Sequence, residues 1–372
     1  MKIVNLLFNH KKSAHDNKIL GVERCFIDYA KYLILKGEKV LSVTKNNMIY
    51  VKDLREAGSE VLELPAVNRN DIFSIFRLAI SFVKFKPEVA ICHSGRALSF
   101  ARAARFLSIK KFPIIAIDHG INPKKFMKAD YVLAVNSFFS RELIKAGKPA
   151  NRALTIPNMI EVPKDFSPLV KKNFRKPLRL GSLGRLYPEK YFDMVLRAMA
   201  VLRDQGFECE YVIGGVGPME KSLNDLAQEL GLTKNFKILG WTSDKVKFFD
   251  EIDIFILPSW GETFGIVLLE AMLYSTPIIT SNSWGPDEII QDGINGLKVS
   301  KDDAIAMPKL LADAILKLVA DEEFSKKIAQ KAHEEFFVKY TTEVVTTRLH
   351  NICKQACEEY MPNQLQEADS VY

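Results

Sequence analysis

Short apolar segments alternate with stretches of helical periodicity along almost the whole chain, and this alternation limits the folds that it can adopt. The segments before the polar stretch Pro163–Pro177 read KIVNLLF, KVLSVT, EVAICHS, PIIAID, YVLAVN and ALTIPN. Those after it read LRLGSLG, ECEYVIGG, FKILG, IDIFILP and TPIITS. Strands that alternate with helices form parallel sheets covered by helices. The sequence therefore predicts two successive Rossmann-like α/β domains.

The stretch Pro163–Pro177 is the predicted linker. We expect an N-terminal domain over residues 1–165 and a C-terminal domain over residues 166–340. A helical pattern at residues 341–360 has no strand after it, and we expect it to pack back toward the N-terminal domain. Residues 361–372 are polar and predict a flexible tail. Ligands of such domains bind at the carboxyl ends of the strands, so the expected site is a cleft where the two sheets face each other.

Composition and charge narrow the classes of partner. The chain has 372 residues and a net charge of +7, and 48% of its residues are hydrophobic. Residues 1–170 carry 28 Lys and Arg against 15 Asp and Glu, whereas residues 171–372 carry 24 against 30. A basic half suits an anionic lipid, a phosphorylated substrate or nucleic acid. The five cysteines lack metal-ligand spacing, and we expect reduced thiols.

The segment Ser259–Leu273, SWGETFGIVLLEAML, follows a predicted strand and opens a predicted helix. The amide groups of residues 263–265 then lie at a helix N-terminus, which attracts phosphate. Glu262 and Glu270 are eight residues apart, which is about 12 Å along a helix axis. We therefore expect one carboxylate at the mouth of the site and the other about two turns deeper along the same helix, flanking a diphosphate.

Two further motifs place cations and glycines after predicted strands. The segment Gly181–Ala198, GSLGRLYPEKYFDMVLRA, presents Arg185 and Lys190 ahead of an amphipathic helix. Fixed cations there can stabilise the negative charge that grows on a departing diphosphate, without a metal ion. The segment Val212–Leu223, VIGGVGPMEKSL, has glycines that allow a ligand to approach the backbone, and Gly21 precedes the first helix in a similar turn.

The motifs GRLYPEK, GGVGP, ETFGIVLLEAM, STPIITS and GPDEII…DGINGL occur in this order. With them the chain resembles the family-four retaining glycosyltransferases (glycosyl transferases group 1) over nearly its whole length. The resemblance implies the GT-B fold, two Rossmann-like domains with parallel sheets that face each other across a cleft. It implies that Arg185 and Lys190 bind the donor diphosphate. It also implies that Glu262 lies near the transferred sugar and that Glu270 holds the nucleotide ribose.

The resemblance further implies a histidine of the N-terminal domain beside the donor sugar. His119, in DHG after PIIAI, is the first candidate and His93, in CHSGRA, the second. A histidine with a structural hydrogen bond is the alternative for each. The expected catalytic residues are Arg185, Lys190, Glu262 and His119. The expected donor-binding residues are Gly21, Gly184, Gly215, Gly217, Thr263, Phe264, Gly265 and Glu270.

The predicted activity is transfer of a sugar, with retention of configuration, from a nucleotide diphosphate sugar to a glycan or lipid-linked acceptor. A UDP-sugar is favoured over a GDP-sugar as donor, and no metal or other cofactor is expected. The resemblance implies bacterial cell-surface polysaccharide or lipopolysaccharide synthesis. The alternatives are a sugar-nucleotide epimerase or phosphorylase of the same fold, and a non-catalytic nucleotide-sugar-binding protein.

The segment Phe73–Lys86, FSIFRLAISFVKFK, is amphipathic. Such a helix can lie on a membrane or face the core of its domain. Nearby cations favour an anionic acceptor or membrane surface; they are Arg96, Arg102, Arg105, Lys110, Lys111, Lys124, Lys125 and Lys128. We expect a cytoplasmic protein that associates with the inner face of the cell membrane. No nucleic-acid partner is expected, because no nucleic-acid-binding motif can be identified.

Overall fold

The computed structural model describes residues 1–8, 19, 21–66, 68, 71–120, 125–167 and 173–360. The chain divides into two compact units, one formed by Met1–Met159 with the chain from Thr342 onward, the other by Ile160–Thr341. The sequence placed these boundaries at 165/166 and 340/341, which differ from the structure by six residues and one residue. The predicted tail, residues 361–372, and Lys124 lie outside the described residues.

The first unit is built on seven parallel strands. They are β1 Lys2–Leu7, β2 Lys39–Lys45, β3 Glu60–Leu64, β4 Val89–Cys92, β5 Ile114–Asp118, β6 Tyr131–Ala134 and β7 Ala153–Thr155. Their order is β3-β2-β1-β4-β5-β6-β7. The connecting helices are α1 Gly21–Leu35, α2 Val51–Glu56, α3 Ile72–Phe85, α4 Gly95–Leu107 and α5 Ser137–Lys145. The inner strands β4, β5 and β6 are buried along their whole length, as expected of strands covered on both faces.

The second unit is built on six parallel strands. They are β8 Leu178–Leu183, β9 Cys209–Gly214, β10 Phe236–Gly240, β11 Ile254–Leu257, β12 Ile278–Ser281 and β13 Leu297–Val299. Their order is β10-β9-β8-β11-β12-β13. The helices are α6 Phe192–Asp204, α7 Glu220–Glu229, α8 Lys245–Glu251, α9 Ile266–Leu273, α10 Trp284–Ile289, α11 Met307–Ala320 and α12 Glu322–Lys339. The expectation of two parallel-sheet α/β domains is confirmed.

The last described helix, α13 Thr342–Tyr360, belongs to the first unit. Its buried residues Val345, Leu349 and Ile352 pack in one core with Phe26 and Leu33 of α1. On the polar side, His350 Nε2 lies 2.5 Å from a carboxylate oxygen of Glu38. The chain therefore returns to its first unit after completing the second.

The helix α3 has two apolar faces. Its inner face, with Leu78, Ala79 and Phe82, is buried, and the Phe82 ring packs edge-on against Phe112 at 5.3 Å. Its outer face exposes a row of large apolar side chains at positions 72, 73, 76, 80 and 83. The inner face therefore packs in the core of the domain, and the outer face is apolar and exposed. Among the helices within the described ranges, none is long and apolar enough to cross a membrane.

Candidate active site

The turns that follow β8 and β9 are held together by backbone hydrogen bonds. Gly184 N donates to Gly214 O over 3.0 Å, and Leu186 N donates to Val216 O over 3.0 Å. A Cβ atom at Gly215 would lie 1.8 Å from Gly184 O, and one at Gly217 would lie 2.4 Å from Leu186 O. The contact between the two turns therefore requires glycine at both positions. The sequence related these glycines only to the approach of a ligand.

Lys190 and Glu262 meet at the carboxyl edge of this sheet. Lys190 ends the short 3-10 turn Pro188–Lys190, and its ammonium group forms an ion pair with the Glu262 carboxylate. Both side chains are only 14% exposed. Trp260 N donates to Glu189 O over 2.9 Å and ties the two segments together. The structure thus brings the predicted cation and the predicted first carboxylate into contact.

Arg185 lies on the same turn but makes a different contact. Its guanidinium carbon lies 5.0 Å from the centre of the Tyr187 ring, and the side chain is exposed. Gly184, directly before it, lies beside Lys190, because a Cβ atom there would be 3.9 Å from Lys190 Cε. An exposed guanidinium next to a half-buried ammonium group can contact the same anion.

The loop before α9 is shaped by two glycines. Gly265 occupies the N-cap position with φ 91°, and no side chain caps the helix there. A Cβ atom at Gly285 would lie 2.2 Å from Phe264 Cα, and Gly285 N donates to Glu262 O over 3.0 Å. Phe264 is 2% exposed, so its ring is a core group and only its backbone can serve a ligand. Gly285 has no predicted role in the sequence, although it begins the GPDE motif.

The expectation that Glu262 and Glu270 lie on one helix is wrong. The helix α9 begins at Ile266, because the left-handed conformation of Gly265 interrupts the backbone between the two acids. Glu262 therefore belongs to the loop, and Glu270 is the fifth residue of the helix. The predicted separation of two helical turns between the carboxylates is therefore wrong. Glu262 does precede the N-terminus of the helix, as predicted.

Glu270 has a cationic partner that the sequence did not identify. Lys245 Nζ, at the first residue of α8, lies 3.1 Å from Glu270 Oε2. Burial raises the pKa of Glu270, and the charge and hydrogen bond of Lys245 oppose this rise. The Glu270 side chain is 18% exposed. The only sequence signal for Lys245 is its position in the loop after a strand, at the carboxyl edge where ligands bind.

The two histidine candidates lie side by side in the first unit. His93 follows β4 and His119 follows β5, and His93 Nδ1 is 3.3 Å from His119 Nε2. His93 Nε2 is 2.9 Å from Asn5 Oδ1. Burial, and then the neighbouring His119, lowers the pKa of His93 well below its ordinary value. Burial lowers the pKa of His119 to about 4, against the opposing effect of a hydrogen bond with Asn158. Both rings are therefore neutral at pH 7.

Cys25 joins these histidines in a cluster of atoms that can ligate a metal ion. Its sulfur and one ring nitrogen of each histidine lie within 4.8 Å of one another. The rings are nearly parallel, at 13°, and their centroids are 5.5 Å apart. The distance between the centroids is longer than the 3.3 Å between the nitrogens by about the width of one imidazole ring. The two nitrogens therefore lie between the ring centres and point at each other. This is the geometry of a hydrogen bond, and a tetrahedral ion would require both rings to tilt.

The remaining candidate in the first unit is Gly21. It is the first residue of α1 and is exposed. Gly21 and His119 therefore belong to one unit, and the other ten predicted site residues belong to the second.

The chain is similar to known proteins in sequence and in structure. A family model described as glycosyl transferases group 1 matches residues 164–335. The amylovoran biosynthesis glycosyltransferase AmsK of Erwinia amylovora is 26% identical over 74% of this chain and 73% of its own length. A glycosyltransferase of Rickettsia africae has a TM-score of 0.78 and 18% identity, over 95% of this chain and 98% of that one. HepE of Anabaena, in complex with UDP-glucose, has a TM-score of 0.74 and 20% identity, over 95% and 100% of the two chains.

Two Rossmann-like units with parallel sheets give the chain the GT-B fold, and the family model and the relatives support a glycosyltransferase. The matched segment, residues 164–335, is nearly all of the second unit.

Proposed function

We propose that the protein transfers a sugar from a UDP-sugar to a glycan or lipid-linked acceptor in bacterial cell-surface polysaccharide synthesis, with retention of configuration. The ion pair between Lys190 and Glu262, ahead of the uncapped N-terminus of α9, is the observation that carries the proposal. The structural similarity to a UDP-glucose complex supports the donor. The similarity to an enzyme named for amylovoran biosynthesis supports the class of product.

The diphosphate is the group that this part of the second unit suits best. The N-terminus of α9 offers backbone amides and the positive end of the helix dipole. Lys190 adds a cation that is already fixed by Glu262 and partly shielded from water. Charge that develops on the leaving oxygen is stabilised most by groups that are in place before the reaction. In our proposal Lys190 and Arg185 therefore supply this stabilisation, and the reaction needs no metal ion.

The proposed transfer step is the one that the resemblance to retaining glycosyltransferases implies. The acceptor hydroxyl attacks the anomeric carbon from the face that the diphosphate leaves, and its proton passes to a departing phosphate oxygen. In our proposal Glu262 lies near the transferred sugar, and Glu270 binds the ribose with its charge balanced by Lys245. Catalysis then depends mainly on position and charge.

Turnover of variants tests the assignment of the cations. We expect Lys190→Ala and Arg185→Ala each to reduce the rate of nucleotide release from the preferred donor by about 100-fold, because each removes a group that stabilises the leaving diphosphate. The donor is found by screening UDP- and GDP-sugars. Lys221→Ala is the matched control, since Lys221 is 86% exposed and pairs with Asp225 on the same helix, α7. Control-like activity of both site variants would refute the assignment, and an inverted product anomer would refute retention.

We also propose that the outer face of α3 binds an anionic membrane surface. Phe73, Phe76 and Ile80 are between 52% and 64% exposed, and Arg77 and Lys84 on the same helix are exposed cations. The helix α4 packs beside α3 and ends in further exposed apolar residues, with Phe106 83% and Ile109 89% exposed. An apolar row flanked by cations is typical of helices that lie in the lipid interface.

Two of the cations that the sequence assigned to this surface serve the fold instead. Arg96 is 5% exposed, and its Nη1 donates to Ala66 O over 3.0 Å. Arg105 Nη1 lies 2.6 Å from Asp130 Oδ2 and also donates to Phe112 O. The proposed surface therefore depends on Arg77 and Lys84 and on the exposed cations that remain of the predicted set, which are Arg102, Lys111, Lys125 and Lys128.

Co-sedimentation with vesicles tests the membrane surface. We expect Phe76→Ser/Ile80→Ser to reduce binding to phosphatidylglycerol-containing vesicles at least tenfold, because roughly 25 cal/mol is lost for each Å² of apolar area no longer buried. Ile305→Ser is the control, since Ile305 is 93% exposed but lies in the second unit. Equal binding of the wild-type protein to neutral and anionic vesicles would contradict the proposal, as would equal losses in the two variants.

A further inference from the structure

We propose that Asn5 and His93 are positioning residues that determine which ring nitrogen of His119 carries the proton, so that His119 presents Nδ1 as a hydrogen-bond acceptor to a ligand hydroxyl. The inference rests on the proposed glycosyl transfer in one respect only, the contact between His119 and the donor sugar that the sequence resemblance implies. The tautomer itself follows from a chain of hydrogen bonds within the first unit.

The chain begins at a group that can only accept. Asn5 Nδ2 donates to the backbone oxygen of Phe26 over 3.0 Å. Because a carbonyl oxygen has no proton to give, the amide nitrogen of Asn5 must face it, and Oδ1 must face the other way. His93 Nε2 lies 2.9 Å from this Oδ1, which is likewise an acceptor. His93 Nε2 therefore carries a proton.

The next link transfers this constraint to His119. A neutral imidazole has one N–H and one acceptor nitrogen, so His93 Nδ1 is an acceptor. His119 Nε2, at 3.3 Å, then donates to it, and His119 Nδ1 is left as the acceptor. Asn158 also hydrogen-bonds His119, but an amide can present either its oxygen or its nitrogen. Asn158 therefore follows the tautomer, whereas Asn5 sets it.

The surroundings keep both rings neutral. Cys25 has its sulfur within 4.8 Å of one ring nitrogen of each histidine, and the Tyr29 ring lies 5.6 Å from the His93 ring. Burial raises the pKa of the Cys25 thiol and of the Tyr29 hydroxyl, so both groups are uncharged. Within the described ranges no carboxylate is among the hydrogen-bond partners of either ring. Phe26 packs edge-on against His93 at 5.5 Å and restricts its rotation.

The consequence for recognition is chemical. A neutral Nδ1 accepts from a hydroxyl and repels another acceptor, so His119 in this state suits a sugar hydroxyl and not a phosphate oxygen. The Asn158 amide also hydrogen-bonds this ring. A sugar hydroxyl can donate its proton to His119 Nδ1, whereas a deprotonated phosphate oxygen has no proton to donate.

Nitrogen NMR of the full chain labelled with ¹⁵N-histidine tests the inference without any substrate. We expect His93 and His119 to show the Nε2–H tautomer, unchanged between pH 5.5 and pH 8. His333 is an internal control with the opposite tautomer, since its Nδ1 lies 2.8 Å from Leu273 O and must carry the proton. An Nδ1–H tautomer at His119, or titration of its ring near pH 6.5, would overturn the proposal even if every variant failed to fold.

Two variants separate positioning from structure. In Asn5→Asp the new carboxylate stabilises a charged His93, whose Nδ1 becomes a donor, and we expect His119 to change to the Nδ1–H tautomer. We expect Asn158→Ala to leave the tautomer unchanged. Asn5→Asp should bind the UDP-sugar about fivefold to tenfold less tightly, the effect of about one hydrogen bond, with unchanged affinity for UDP. A tautomer that does not change in Asn5→Asp, or that changes in Asn158→Ala, would contradict the role of Asn5.

The outcomes distinguish this inference from the proposed function. If the tautomers agree with expectation but the UDP-sugar affinity of Asn5→Asp equals that of the wild-type protein, the link to the sugar is wrong. If UDP affinity is insensitive to Lys190, the donor site itself is misplaced, whatever the histidines show.

Discussion

Lys190 and Glu262 form an ion pair with each other, and this affects how variants must be interpreted. Each side chain is 14% exposed, so removing one leaves the other charge poorly hydrated and without its partner. A Lys190 variant therefore has two effects. It removes a cation, and it leaves the Glu262 carboxylate without its cationic partner next to the N-terminus of α9. A double variant that replaces Lys190 and Glu262 with uncharged residues is therefore needed. It separates direct binding of phosphate by Lys190 from neutralisation of Glu262 by Lys190.

Asp118, directly before His119, has a buried carboxyl group, and its negative charge destabilises the folded protein. Its Oδ1 accepts from Gly120 N over 3.0 Å, while its Oδ2 is a buried atom with no hydrogen-bond partner among the described residues. Burial raises its pKa to about 6, against the opposing effects of the Gly120 amide and the charge of Lys125. The folded protein therefore holds this proton more tightly than the unfolded chain does.

The stability of Asp118→Asn should depend on pH. Because the folded pKa is raised above the unfolded value, the carboxyl group costs no stability below about pH 4 and an increasing amount up to about pH 6. Relative to the wild-type protein, Asp118→Asn should gain about 2–3 kcal/mol between pH 4 and pH 7. Urea denaturation of both proteins across this range measures it. A difference in the free energy of unfolding that does not vary with pH would contradict the raised pKa.

At the scale of elements, the paired turns after β8 and β9 depend on two missing side chains. We expect Gly215→Ala to weaken UDP binding more than tenfold and to destabilise the protein by about 2 kcal/mol or more, because the new methyl group forces the two turns apart. Gly95→Ala is the control, since its Cβ atom would meet nothing closer than 3.5 Å. Calorimetry measures both effects. A Gly215→Ala protein as stable as the control would show that the turns move apart freely.

Much of the element pattern could be predicted from sequence, and the failures have physical causes. The two strands not predicted, β3 and β13, each lie at one edge of their sheet; the strands at the opposite edges, β7 and β10, were predicted. An edge strand has one partner and needs no continuous apolar run, and β3 carries glutamates at both Glu60 and Glu63. Helical periodicity extends through Glu262, but it does not reveal that Gly265 adopts a left-handed conformation and delays the helix.

The candidate site could be predicted only in part. Residues with family motifs, such as Lys190 and Glu262, were identified because the resemblance assigns them roles. Lys245 and Asn5 were missed, because their importance lies in a contact with a distant residue and no local pattern marks it. The hydrogen-bonded partner of a known site residue is the kind of information that a single sequence lacks.

At the scale of the whole molecule, the two units carry different chemistry. Residues 1–170 are strongly basic and residues 171–372 mildly acidic, and the exposed apolar row of α3 belongs to the basic half. The acidic half nevertheless concentrates its cations Lys190, Arg185 and Lys245 beside the carboxyl ends of β8 and β10. Local placement of charge, more than net charge, therefore indicates which ligand each unit binds.

The central claim is that Lys190 and the mouth of α9 bind one diphosphate, and UDP affinity measured by isothermal titration calorimetry tests it directly. The proteins are the wild type, Lys190→Met, Glu262→Gln, the double variant, and Lys221→Met as control. We predict a loss of roughly tenfold to 100-fold for Lys190→Met, the effect of one charge-assisted hydrogen bond, that Glu262→Gln does not restore. Wild-type affinity in Lys190→Met, or full recovery in the double variant, would contradict direct contact between Lys190 and the diphosphate.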